Sequence, residues 1–272
     1  MNAHVVAPAG AFVASPSRVG HDRVSMAEET RIHTRLQRLA LGVEESRAYW
    51  ANVDPSVPPA ERAVAAFEGR WFGAKSLERI RVLLPYLAAR YDAFPDALAA
   101  LRRWRAMEPD TRRAISHWHL QLTDPIYRAF AGDFLPARRG VADATLDRPA
   151  VLRWVRGASP GRWGESTLVQ FASKLLSAGA EAGLLSPAPD PRKLPLPRVP
   201  DDALVYLLHL LREVRFEGSL ADNPYLRSVG IEGTLLDHRL RGITALRLQR
   251  VGSVCDFEWT YPTLAAWAET LA

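Results

Sequence analysis

The sequence predicts an all-α protein, mainly helical, with one small C-terminal β-hairpin. Three observations carry that expectation. Apolar residues recur at helical spacing in almost every periodic segment, Ser, Asp and Pro stand at segment starts, and only residues 246–261 alternate as strands do. At 272 residues, with 48% hydrophobic side chains, the chain can bury a sizeable core. Residues 1–24 lack a basic n-region and read as a disordered leader, with Met26 as a second candidate start. The pattern divides into helical parts at 25–140 and 141–272, the second winged-helix-like because helices there precede a hairpin.

In chain order, Ser25-x-x-Glu28 looks like a capping box opening a helix to Leu41, with Ile32, Leu36 and Leu39 inward. Short helices follow at 43–50 and 60–69. After the Trp71-Phe72-Gly73 turn, Ser76 opens a helix whose stripe is Leu77, Ile80, Leu83, Leu84 and Leu87; Pro85 lies within it and should kink or split it. Residues 95–107 form the next helix, with Leu98, Leu101 and Trp104 inward. A helical pair, 110–122 and 124–135, meets at Thr-Asp-Pro, and Tyr127, Phe130 and Phe134 form an aromatic core stripe. Residues 136–146 lack periodicity and read as an interdomain linker.

Helices are expected at 148–156, 163–185, 201–215 and 232–240, with a Pro-studded connector from Ser186 to Pro200. Gly252-Ser253 is the expected hairpin turn, and a terminal helix starts at Thr263. The stretch from Trp163 to Leu185 has Ser166 to cap it, Gly183 to close it, and Leu168, Phe171, Ala172, Leu175 and Leu176 on one stripe. Its other face carries Thr167, Gln170, Lys174 and Ser177, and Arg153, Arg156 and Arg162 precede it. Amides and hydroxyls can meet base edges and arginines can meet phosphates, so this face suits nucleic acid. An ordinary amphipathic core helix shows the same spacing.

Charge favours the nucleic-acid reading. The chain has 35 Lys+Arg against 30 Asp+Glu, yet residues 70–162 hold 17 basic and 9 acidic residues. That concentration attracts polyanions, and arginine, 32 of the 35 cations, suits bidentate phosphate contact. A GC-rich genome explains the ratio of Arg to Lys but not why acids thin out in one segment. A competing basic surface is Arg102, Arg103 and Arg105 with Arg79, Arg112 and Arg113.

Catalytic and cofactor motifs are absent from the sequence: no phosphate-cradling glycine loop, no paired-cysteine zinc pattern, no Gly-x-Ser-x-Gly. His117 and His119, two apart on a helix, point to different faces and read as partly buried histidines rather than metal ligands. The single Cys255 fits a reducing cytosol, and no apolar run matches a membrane span. The expectation is a cytoplasmic, non-enzymatic protein without metal or cofactor.

In order, the Glu28-Glu29-Thr30 segment, the Trp-Phe-Gly-x-Lys-Ser turn (Trp71 to Ser76), Asp-Pro-x-Tyr-x-x-Phe (Asp124 to Phe130), the Trp163 to Leu185 helix and Val205-Tyr206-Leu207-Leu208 span most of residues 25–260. In that order of motifs the chain resembles the BrxA family, accessory proteins of BREX bacteriophage-exclusion systems. The proline-rich leader and the 186–200 connector depart from the family pattern. The resemblance implies an all-helical, cytosolic, non-enzymatic component that binds double-stranded DNA and works with other BREX proteins. The competing expectation is a helical scaffold that assembles protein partners without touching nucleic acid.

Overall fold

The computed structural model describes residues 26–251 and 254–271. The expected leader, Ser25 of the capping box and the Gly252-Ser253 turn lie outside the described residues. The molecule is mainly helical, as the periodicity predicts, with two small two-stranded antiparallel sheets among the described residues.

Residues 26–34 overturn the first helix expectation. Only α1 (Arg35–Arg38) is helical, and the preceding segment runs extended beside Arg215. Arg215 N–H donates to Met26 O at 2.8 Å and Glu28 N–H donates to Arg215 O at 3.1 Å. The carboxylate of Glu28 does not serve a capping box; it accepts from Tyr225 Oη and Glu217 N–H and lies 3.5 Å from Arg128 Nε. Those long-range partners compete successfully with the local helix.

Helices α2 (Val43–Asn52) and α3 (Arg62–Glu68) follow. The start of α2 is capped from a distance, because the Glu181 carboxylate accepts the Gly42 and Val43 N–H groups at 3.1 and 2.9 Å. In α4 (Leu77–Tyr91), Ser76 Oγ accepts the Arg79 N–H, and Ile80, Leu83, Leu84 and Leu87 are buried. Pro85 is exposed, and the helix continues through it as one element rather than splitting. Helix α5 (Pro95–Arg103) stops four residues before the expected end, where Trp104 turns inward against Trp267, 5.4 Å between ring centres.

Helix α6 (Pro109–Thr123) is the axis of the molecule, buried without a break from Ala114 to Thr123. It packs against α2, α4, α7 (Pro125–Ala129) and α11 (Asp201–Glu213). Asp124 accepts the Tyr127 N–H to start α7, which passes through a π-helical turn (Phe130–Phe134) into α8 (Leu135–Arg139). The expected linker is therefore partly helix. It also contributes β1 (Thr145–Leu146), which pairs with β2 (Arg192–Lys193) in the Pro-studded connector, a strand pair too short to leave a pattern in the sequence.

Helices α9 (Arg148–Ala158) and α10 (Glu165–Glu181) pack on each other, and α10 also meets α1. Gly183, at φ +76, closes α10 as expected: Leu184 N–H donates to Gly179 O and Gly183 N–H to Ala180 O. After α11 come α12 (Pro224–Ser228), α13 (Gly233–Arg241), the hairpin β3 (Leu246–Val251) with β4 (Val254–Trp259), and α14 (Leu264–Ala268), which ends in a 3-10 turn (Glu269–Leu271). The hairpin packs on α13. The helix that precedes a hairpin in this fold is thus Gly233–Arg241, not the Trp163 helix. Buried residues from both sides of residue 140 belong to one contiguous core. Among the described residues, no helix is long and apolar enough to cross a membrane.

Candidate nucleic-acid interface

The Trp163 helix presents its polar face as expected, but its N-terminus differs. Gly164, not Ser166, occupies the N-cap, and Glu165 is the first helical residue. Ser166 and Gln170 are exposed, while Thr167 and Lys174 are half-buried. Thr167 also ties the helix down, since its carbonyl accepts from Gln37 Nε2 at 3.2 Å. The negative charge that the helix dipole favours is already present in Glu165, so a phosphate at Ser166 would meet a carboxylate. Arg156 Nη2 donates to both Glu165 oxygens at 2.7 and 2.8 Å. Arg162 donates to Ile32 O at 3.0 Å and stands 6.0 Å from the Trp163 ring centre. Arg153 is exposed on α9. Of the three arginines assigned to this surface, two are therefore held by the protein itself.

The second cluster is arranged differently. Leu98, Leu101 and Trp104 are drawn into the core, which turns Arg102, Arg103 and Arg105 to solvent. Arg102 and Arg103 end α5, where the dipole favours cations. Among the described residues, none of these three forms an ion pair; Arg102 contributes to holding the Asp54 carboxyl below its usual range, behind the larger effect of hydrogen bonds from Ser56. Arg79 is also exposed, in the first turn of α4. Arg112 and Arg113 are half-buried and engaged: Arg112 Nη1 donates to Met107 O at 3.1 Å, and Arg113 lies 2.7 Å from Asp110. They support the cluster from behind more than they extend it.

A third basic surface is hidden in the sequence, where residues 232–240 read only as one more helix. Arg241, Arg247 and Arg250 are exposed between α13 and the hairpin, with Arg250 2.9 Å from Asp237. Arg241 and Arg247 border a cavity of about 560 Å³ that includes Leu240, Glu258 and Trp259, and they join Arg250 in lining a second cavity of about 220 Å³. The spacing of Arg241, Arg247 and Arg250 is visible in the sequence, but only the packing of β3 on α13 brings them together. Arg212 and His209 lie 4.8 and 4.6 Å from the Trp259 ring, so that ring is already covered.

Histidines 117 and 119 are fully engaged in the core. His117 lies between Tyr127 Oη and Ser228 Oγ, 2.8 Å from each, and His119 between Arg90 O and Tyr206 Oη at 3.3 and 2.6 Å. Among the described residues, no group of three or more His, Cys, Asp or Glu is placed to hold a metal ion. No protein-family model matches the chain, and neither the curated proteins nor the solved structures contain a match.

Proposed function

We propose that the chain is a non-enzymatic, cytoplasmic accessory protein of a BREX-type phage-defence system that binds double-stranded DNA with low sequence preference. The observation that carries this reading is the trio Arg102, Arg103 and Arg105, exposed at one helix end and free of ion pairs among the described residues. Free guanidinium groups can bind phosphates bidentately without first breaking an internal pair. The resemblance in motif order supplies the BREX context and the partner proteins. Trp104, the aromatic side chain between these arginines, is buried and not free for base stacking, which favours duplex backbone over single strands.

The test is a salt-dependent gel shift on duplex DNA. Affinity should fall steeply with salt, and Arg102→Glu with Arg103→Glu and Arg105→Glu should weaken it at least tenfold. The triple change should also flatten the salt slope, by about one unit for each phosphate that the protein no longer neutralises. Lys174→Glu with Arg162→Glu should do less. Binding that is absent at low salt, or insensitive to the triple change, refutes the Arg102 surface. A helical scaffold is the second reading, favoured by Val64 and Phe67, 47% and 44% exposed and one turn apart on α3. It predicts no shift of DNA at any salt concentration.

A further inference from the structure

A cavity of about 270 Å³ behind the Arg102 trio gathers four cations from four segments: Arg47 of α2, Arg102 of α5, Arg105 of the following loop and Arg112 of α6. Trp50 and Arg112 also form its wall. The indole Nε1–H of Trp50, a residue only 2% exposed, and the Nε–H of Arg112 are both buried without a hydrogen-bond partner. Buried donors normally have partners, so these two orphans leave hydrogen-bonding capacity unused in the wall of a cation-lined cavity. One carboxylate competes for the cations. Glu44 lies 3.9 Å from Arg47 and 3.9 Å from Arg112, and it is 69% exposed.

Arg102, Arg105 and Ala51 are shared with an adjoining open cleft of about 850 Å³, whose other lining includes Ala99, Ala268 and Leu271 beside the charged Arg103 and Glu269. A cation-rich chamber opening into a wider, partly apolar cleft matches a ligand with condensed anionic charge at one end and an uncharged body at the other. We propose that the cavity is a seat for a di- or triphosphate group, the nucleoside resting in the adjoining cleft. Two sources carry that group, a free nucleotide and a triphosphorylated nucleic-acid end. Arg102 and Arg105 belong to both this seat and the duplex surface, whereas Arg47 belongs to the seat alone.

The probe is inorganic pyrophosphate, titrated calorimetrically into the full chain. Arg47 is 56% exposed, so Arg47→Gln should leave the fold intact. It should weaken pyrophosphate binding about tenfold, as expected for removing a charge-assisted hydrogen bond. Glu44→Gln should tighten binding about threefold by releasing Arg47 and Arg112, an effect opposite to that of general structural damage. Arg47→Gln should leave the duplex gel shift within about twofold of wild type, as it lies outside the Arg102–Arg105 trio. ATP and a 5′-triphosphorylated oligonucleotide, each compared with its unphosphorylated form, then identify the source. The proposal fails if millimolar pyrophosphate does not bind, if either substitution leaves its affinity unchanged, or if Arg47→Gln abolishes the duplex shift. Pyrophosphate binding by a protein that never shifts duplex DNA would refute the DNA reading and leave this one standing.

Discussion

Three buried histidines make the stability of this molecule depend on pH. Burial pushes His117 and His119 down to about 3 and His209 to about 4, from an ordinary value near 6.5. All three are therefore neutral in the folded chain near neutrality but take up protons in the unfolded chain once pH drops below about 6.5. A depressed folded pKa means stability that is present above 6.5 and lost as pH falls towards the folded values. Each core histidine contributes a loss of up to about 1.4 kcal/mol per pH unit within that window. Urea midpoints measured between pH 7.5 and 4.5 should fall steadily below 6.5, and His117→Gln should flatten the curve. A flat wild-type curve would mean that the imidazoles reach solvent. The spacing of His117 and His119 shows that the two side chains leave different faces of one helix. It does not show their partners, since Tyr206 and Ser228 are distant in the chain and only the tertiary packing brings them to the rings.

Among the elements, legibility follows how local the forces are. Helix α10 is readable because its apolar stripe, its Gly183 closure and the core it faces all agree. Phe171 is fully buried and stacks on Trp163 at 4.4 Å, so Phe171→Ala should cost about 3–5 kcal/mol, measured as a shift in the denaturation midpoint. A near-neutral result would mean that the apolar face of α10 is solvated. Residues 26–34 mislead because nothing local marks Glu28 as a ligand for Tyr225 and the Glu217 amide rather than a helix cap. The π-helical turn at Phe130–Phe134 is equally hidden. Its position suits the close approach of α12, where a Cβ on Gly132 would stand 2.5 Å from Pro224 Cβ. In the candidate site, charge counting locates the arginine trio, while the Glu165 partner of Arg156 and the Arg241–Arg247–Arg250 surface depend on contacts between elements.

At the scale of the molecule, the decisive fact is where the core runs. Helix α6 of the first half packs on α11 of the second, α5 packs on α14, and the π-helical turn packs on α12. The Trp104–Trp267 contact and the hydrogen bond from Trp118 Nε1 to Tyr225 O, at 3.1 Å, cross the same division. Neither 25–140 nor 141–272 could unfold alone without exposing the other's apolar face, which couples their free energies. Unfolding in urea should therefore follow one transition, with tryptophan fluorescence and far-ultraviolet circular dichroism giving the same midpoint. Gly132→Ala adds a methyl where Pro224 leaves no room, at a cost of about 1–3 kcal/mol. Because the strain falls on a contact shared by both halves, both probes should shift together. Two separate midpoints, or a shift in one probe alone, would show that the halves are independent domains despite their common core. The basic surfaces would then belong to separate folding units, whereas a single transition places the Arg102 trio and the hairpin arginines on one cooperative unit.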